Sequence, residues 1–143
     1  MMTTWYYPAK FERFPEGEIV VTFPDVPEAV TGAFDEREAM GLAEDVLEEA
    51  ILGRLAQGED IPTPRGIASG EIAIPLDPTT AARVLLRHTM AAQRVSKTAL
   101  AARLGQSEGA VRRLVDGVTR VKLETVLAAL QALGVRAALT TLP

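Results

Sequence analysis

Four carboxylates in the first half of the chain could in principle hold two magnesium ions, as a metal-dependent nuclease requires: Asp25, Asp35, Glu38 and Glu48. Their surroundings favour structural roles. Asp25 lies in a turn between two prolines, and Asp35 and Glu38 have the spacing of a helix N-cap and its capping box. Glu48 falls on the predicted solvent face of the same helix. The sequence therefore predicts no catalytic residue and no metal site.

Other common reactive groups are missing from the chain. It has no cysteine, which excludes a disulfide scaffold, a thiolate zinc site and a cysteine nucleophile, and its one histidine is His88. The glycines Gly17, Gly32 and Gly41 lack the spacing of a phosphate-binding loop. We expect no cofactor and no enzymatic activity.

Charge is divided unevenly along the 143 residues. Residues 1–80 contain 5 basic and 16 acidic side chains, a net charge of −11, whereas residues 81–143 contain 10 and 3, a net charge of +7. This asymmetry predicts two modules, the first with a basic partner and the second with nucleic acid. A proline- and glycine-rich stretch over residues 58–70 and Pro78 mark the joint, which places the domains at 1–77 and 78–143.

The basic module contains a helix-turn-helix pattern. Ser96 caps a predicted helix from Lys97 to Leu104, and Ser107 caps a second from Glu108 to about residue 116. Counted from residue 97, the positions that a helix-turn-helix needs small, glycine or apolar are all suitably filled, by Ala101, Gly105, Leu100, Leu104, Val111 and Leu114. The second helix would enter the major groove with its N-terminal residues against the bases.

The candidate DNA contacts follow from that geometry. The start and exposed face of the second helix carry Ser107, Glu108, Arg112 and Arg113, and arginine can pair with guanine through two hydrogen bonds. Arg120 and Lys122 follow in the next loop and are placed for backbone phosphates, and Lys97 is a further candidate DNA contact.

The acidic module reads as α+β. Residues 6–14 and 18–23 form a predicted hairpin, residues 29–33 a third strand, and residues 71–76 a fourth. A long amphipathic helix starts after Asp35 and ends near Gly58. The fold class is therefore a small antiparallel sheet with one helix, followed by an all-α helix-turn-helix domain.

The C-terminal segment predicts an oligomer. A further helix begins at Leu123 and ends at Gly134, and residues 135–142 are predicted to form a short strand. A lone strand cannot satisfy its backbone, so it would pair with its copy in a second chain. Helix-turn-helix proteins also commonly bind two-fold DNA sites as dimers, which independently favours a homodimer or a higher oligomer.

The chain has no apolar segment of the length that spans a bilayer, and its first residues do not follow the pattern of a signal peptide. We therefore expect a cytoplasmic protein without a membrane partner.

With both modules considered, the chain resembles the HicB family of antitoxins from type II toxin–antitoxin systems. The resemblance is carried by Tyr7-Pro8-Ala9, by the segment VTFPDVP over residues 21–27, by Glu38-Ala39 and by GEDIPTP over residues 58–64. Arg65 departs from it, because the family usually has serine after the Ile-Pro-x-Pro loop.

The resemblance implies a degraded ribonuclease H-like fold for the first module, without the catalytic carboxylates. It also implies that the protein neutralises a small basic toxin, a double-stranded-RNA-binding-like ribonuclease that cleaves mRNA, and represses the shared operon by binding operator DNA. The expected toxin contacts are acidic residues of the first module: Asp25, Glu44, Asp45, Glu48 and Glu49.

Two other function classes fit parts of the sequence. One is a stand-alone transcription regulator whose acidic module senses a small ligand, and the other is a nuclease with a DNA-targeting domain. A gene for a small basic protein directly adjacent would favour the antitoxin over the regulator, and metal-dependent cleavage of nucleic acid would favour the nuclease.

Overall fold

The computed structural model describes residues 3–142, which contain four strands and five helices. The strands are β1 (Tyr6–Arg13), β2 (Ile19–Thr22), β3 (Val30–Ala33) and β4 (Ile72–Pro75). The helices are α1 (Glu36–Ala56), α2 (Pro78–Gln93), α3 (Lys97–Leu104), α4 (Glu108–Val115) and α5 (Leu123–Ala132). The α+β class expected from the sequence is confirmed, and the predicted strands are each shorter than expected by one or more residues.

The four strands form one sheet in the order β3-β2-β1-β4, and every neighbouring pair is antiparallel. A tight turn joins β1 to β2, where Gly17 has a positive φ of 96° and Phe14 N donates to Glu18 O at 2.8 Å. The register aligns Arg13 with Ile19 and Ile19 with Ala33. Arg13 of β1, Ile19 of β2 and Ala33 of β3 therefore form one row across the sheet.

Helix α1 begins where the sequence places it. The Asp35 carboxylate accepts a hydrogen bond from Arg37 N at 2.9 Å, which satisfies one of the amides left unpaired at a helix start. One face of the helix is buried, and with the inward side chains of the strands it supplies the core of this region; the helical members are Ala39, Ala43, Leu47 and Ile51. Across the residues that the structure describes, neither this helix nor any other is long and apolar enough to cross a membrane.

The helices after β4 pack around a second core. Asp77 caps α2 through Thr79 N, and Pro78 occupies the first helical position, where its missing N–H costs no hydrogen bond. The core draws on all four helices, with Leu86, Leu100, Val111, Val126 and Leu130 fully buried.

Contacts divide the chain into two compact units. The first comprises residues 1–51 and 61–76, and the second comprises residues 52–60 and 77–143. Helix α1 contributes to both, since its residues up to Ile51 belong to the first unit and those from Leu52 onward to the second.

Residues 135–142, the expected terminal strand, have no strand partner within residues 3–142. Residues 135–142 follow the end of α5 without regular secondary structure. A strand exists only when a second backbone accepts its hydrogen bonds, and among residues 3–142 no strand edge is paired with this segment. The predicted pairing of this segment with its copy in a second chain needs that second chain and stays a prediction.

Candidate nucleic-acid interface

The α3–α4 pair has the local geometry of a helix-turn-helix. Ser96 Oγ accepts from Ala99 N at 3.0 Å and Ser107 Oγ accepts from Ala110 N at 3.1 Å, so both predicted N-caps are confirmed. Gly105 ends α3 with a φ of +64°, a left-handed conformation that costs a glycine little. The chain then turns within three residues into α4.

The positions that fix the angle between the two helices are filled as predicted. Leu100 and Val111 are fully buried, Ala101 and Leu114 are nearly so, and Leu104 packs against the same core from a partly buried position. This packing leaves the opposite side of α4 exposed, because an α-helix cannot bury all of its faces at one contact.

Glu108 accepts hydrogen bonds from two neighbouring side chains. Its Oε1 accepts from Arg112 Nη2 at 2.9 Å, one helical turn later, and its Oε2 accepts from the hydroxyl of Thr98 on α3 at 3.1 Å. Both carboxylate oxygens are therefore engaged within the pair of helices. Arg112 is held to α4 at one end of its guanidinium, whereas Arg113 lies exposed beside it.

An arginine that the sequence reasoning did not select organises the end of α4. Arg83 on α2 is buried, and its Nη2 donates to the carbonyl oxygen of Arg113 at 3.3 Å and also to the carbonyl oxygen of Thr119. A cation at the C-terminus of a helix satisfies carbonyls that have no helical partner and opposes the negative end of the helix dipole. A lone arginine between apolar helix positions was the available sequence signal.

The loop after α4 carries the remaining basic candidates. Arg120 and Lys122 are both exposed, and Lys122 occupies the N-cap position of α5 without capping it through its side chain. Lys97 is exposed at the first position of α3. All seven candidate DNA-contacting residues thus lie on or next to α3, α4 and the following loop, and each of them is exposed.

The acidic candidates do not form one set. Glu44, Asp45 and Glu49 are exposed on α1, whereas Glu48, expected on the solvent face, is half-buried. Asp25 lies elsewhere and its side chain is only 14% exposed. Its carboxylate accepts from Arg65 N at 3.1 Å.

Arg65 is the centre of a charged cluster. Its guanidinium donates to both carboxylate oxygens of Glu71, at 3.1 and 2.5 Å, and its Nε lies 3.5 Å from Asp25 Oδ1. Glu71 also accepts from Ala68 N at 2.8 Å. The hydrogen bond from Arg65 is the main reason that the pKa of the Glu71 carboxyl lies below its ordinary value, and the backbone hydrogen bond acts in the same direction. Arg65 therefore links the loop after α1 to the carboxylates of Asp25 and Glu71.

The four carboxylates considered for a metal site do not meet. Asp35 caps α1, Asp25 is held by Arg65, and no group of three or more His, Cys, Asp or Glu within residues 3–142 is arranged to hold a metal ion.

Known proteins similar to this chain match both regions. Residues 6–85 match the model of the HicB_like antitoxin of bacterial toxin-antitoxin systems, and residues 86–138 match the Cro/C1-type HTH DNA-binding domain. "Antitoxin HicB 2" of Photorhabdus laumondii is 38% identical over 128 residues, which is 90% of both chains. "Antitoxin HicB" of Escherichia coli K12 is 32% identical over 90% of this chain and 93% of its own, and that of Pseudomonas fluorescens is 35% identical over 84% and 83%.

Proposed function

Because this chain belongs to the HicB-like antitoxin family and carries a Cro/C1-type helix-turn-helix domain, we propose that it neutralises a small basic toxin and represses its own operon. The toxin in this proposal is an mRNA-cleaving ribonuclease encoded next to it. The protein itself acts by binding and not by catalysis, and both of its targets lie in the cytoplasm.

The observation that carries the DNA-binding part is the surface of α4. Its first turn presents free backbone amides and Ser107, and its exposed face presents Arg112 and Arg113. Backbone amides at a helix start suit a phosphate, and arginine suits the edge of guanine. Arg120 and Lys122 extend the positive surface beyond the helix and act as phosphate contacts in this proposal.

The toxin-binding part rests on the charge of the first 80 residues. A net charge of −11 speeds association with a basic protein through long-range attraction. Glu44, Asp45 and Glu49 are exposed and available for such contacts. Asp25 is already paired with Arg65, so its contribution is to the local structure of the first unit and not to the toxin interface.

The operator-binding form in this proposal is a homodimer. Residues 135–142 leave α5 without a strand partner in their own chain, and the same segment of a second chain could supply one. Two recognition helices related by a two-fold axis would then read two half-sites of a palindrome.

Two measurements on the full chain test the proposal. Co-expression with the small basic protein encoded beside it should give a co-purifying complex in which the toxin no longer cleaves RNA. Fluorescence anisotropy with labelled promoter DNA should show tighter binding than to a scrambled sequence of equal length and at equal salt. Absence of the complex would contradict the antitoxin function, and equal binding of the two DNAs would contradict operator recognition.

A further inference from the structure

The sheet of the first unit has one edge with its backbone groups turned outward. Phe14 N donates to Glu18 O at 2.8 Å, so the backbone groups of Glu18 face β1. Because successive residues of a strand face opposite neighbours, Ile19 and Val21 must face β3, where they align with Ala33 and Thr31. The alternation leaves the N–H and C=O groups of Val30 and Gly32 directed away from the sheet, and Phe34 continues the series.

The opposite edge is less able to accept a strand. Leu76 N donates to Trp5 O at 3.2 Å, so Ile72 and Ile74, which share its alternation, face β1. The residues of β4 that face outward are Ala73 and Pro75, and a proline has no N–H to donate. Only Ala73 offers a complete pair of backbone groups there.

Exposed apolar side chains lie along the unpaired edge of β3. Val30 is 52% exposed and Phe34 is 72% exposed, and the two lie on one face of the strand with Gly32 between them. If the register is continued by one residue beyond the strands, Phe14 and Glu18 fall in line with Phe34, and Phe14 is itself exposed. An incoming strand would therefore gain apolar contacts as well as backbone hydrogen bonds.

The charge around this edge favours a basic partner. Residues 16–38 contain seven acidic side chains and one basic side chain. A second copy of the same strand fits poorly, because pairing β3 with itself would bring two segments of this acidic composition together. Like charges directly opposite each other destabilise a pair of strands. A basic partner has no such penalty.

We propose that the outward edge of β3, formed by the backbone of Val30, Gly32 and Phe34, is the docking site for an extended segment of the basic toxin, which adds a fifth strand to the sheet. This inference rests on the proposed antitoxin function. The backbone pairing orders the toxin segment, Val30 and Phe34 contact alternate side chains of that segment, and the acidic surroundings attract its basic residues.

Amide hydrogen exchange on the full chain tests the docking site. In the free protein the outward amides of Val30, Gly32 and Phe34 should exchange fast, and in the complex with the adjacent basic protein they should exchange roughly tenfold slower or more. Thr31 and Ala33 face β2, so their protection should change much less. A complex in which the outward amides exchange as fast as in the free chain would overturn this docking site while leaving the antitoxin function intact.

A matched pair of proline substitutions provides an independent readout. Val30→Pro removes an outward N–H from β3, and Ala73→Pro removes one from the other edge. Val30→Pro should weaken toxin binding about tenfold, the scale of a lost hydrogen bond with its neighbouring contact, and Ala73→Pro should not. Equal effects of the two variants would contradict the assignment, as would slow exchange of the β3 amides in the absence of toxin, which would indicate a second copy. Failure to form any complex would overturn both the antitoxin function and this site.

Discussion

Arg65 and Glu71 face each other through two parallel hydrogen bonds, with Arg65 Nη2 2.5 Å from Glu71 Oε2. The Glu71 side chain is only 4% exposed, and the same arginine also reaches Asp25. Arg65 stands where the resembled family usually has serine, so this protein holds the loop before β4 with an ion pair that a serine could not form.

The first prediction concerns the pH dependence of stability. The hydrogen bond from Arg65 holds the pKa of the Glu71 carboxyl below its ordinary value of about 4.3, so the unfolded chain binds the proton more readily than the folded one. The stabilisation is fully present above that ordinary value and is lost as the pH falls through the lower pKa of the folded state. Urea unfolding of the wild type should show decreasing stability in this acidic range.

The control for this prediction is Arg65→Met, which removes the charge and keeps much of the side-chain volume. This variant should be less stable than the wild type at pH 7, and the difference between the two should shrink as the pH falls through the lowered pKa of Glu71. A difference that stays constant across the range would show that Glu71 gains nothing from the pairing.

The second prediction separates the two arginines of the recognition helix. Arg113→Ala should weaken operator binding by about 1–3 kcal/mol per half-site and relax the preference at one base pair, as expected for an arginine that pairs with guanine. Arg112→Ala should also weaken operator binding and relax the base preference. Glu108→Gln should change the affinity for the operator through Arg112, because Glu108 Oε1 accepts a hydrogen bond from Arg112 Nη2 at 2.9 Å. Anisotropy titrations against operator variants with single base changes measure both effects.

A suitable control is Arg94→Asn, which removes one exposed positive charge at the end of α2. Asparagine tolerates the left-handed conformation found there, where φ is 56°. If this variant loses specificity as much as Arg113→Ala does, the loss reflects net charge and not base recognition.

The third prediction concerns the phosphate contacts. Arg120→Gln and Lys122→Gln should weaken binding to operator and to scrambled DNA by similar factors. Each should also reduce the slope of log K against log salt concentration by about one, because one fewer counterion is released. A loss confined to the operator sequence would mean that these residues read bases.

The fourth prediction concerns Arg83, which donates to carbonyls at the end of α4 and in the following loop and which we expect to affect DNA binding through that helix. Arg83→Met should lower the free energy of unfolding by about 1.5–3 kcal/mol, since it leaves the carbonyls of Arg113 and Thr119 without a charged donor. Among molecules that remain folded, operator affinity should fall more than affinity for scrambled DNA, because the helix end and the following loop lose their common support. Arg83→Lys should restore part of both properties, whereas a purely structural role would leave the ratio of the two affinities unchanged.

Which features could be read from the sequence depends on how far apart the interacting residues are. Ser96, Ser107 and Gly105 were identified because a helix cap involves groups within three or four residues of each other. The partners of Arg83 and Arg65 could not be identified: Thr119 lies 36 residues from Arg83, and Arg65 reaches back 40 residues to Asp25. The terminal strand was predicted from composition, although a strand is defined by the backbone beside it, which the sequence of the segment does not contain.

The fifth prediction is that the purified protein does not cleave nucleic acid. Asp25 is occupied by Arg65 and Asp35 by the start of α1, so neither carboxylate is available to bind a divalent ion in this arrangement. Incubation of RNA and of DNA with the protein in magnesium or manganese should leave both intact. Cleavage that disappears in Asp25→Asn or Asp35→Asn would contradict this expectation and restore the nuclease hypothesis.

Pro75, on the outer side of β4, limits the addition of further strands at that edge of the sheet. A filament that grows head-to-tail through its β-sheets needs two edges on every subunit that can each pair with a strand of a neighbour. Here the outward side of β4 offers one complete pair of backbone groups, at Ala73, so the β4 edge is a poor second site for adding a strand. In the proposed complex, association through this sheet would therefore involve one toxin segment per chain.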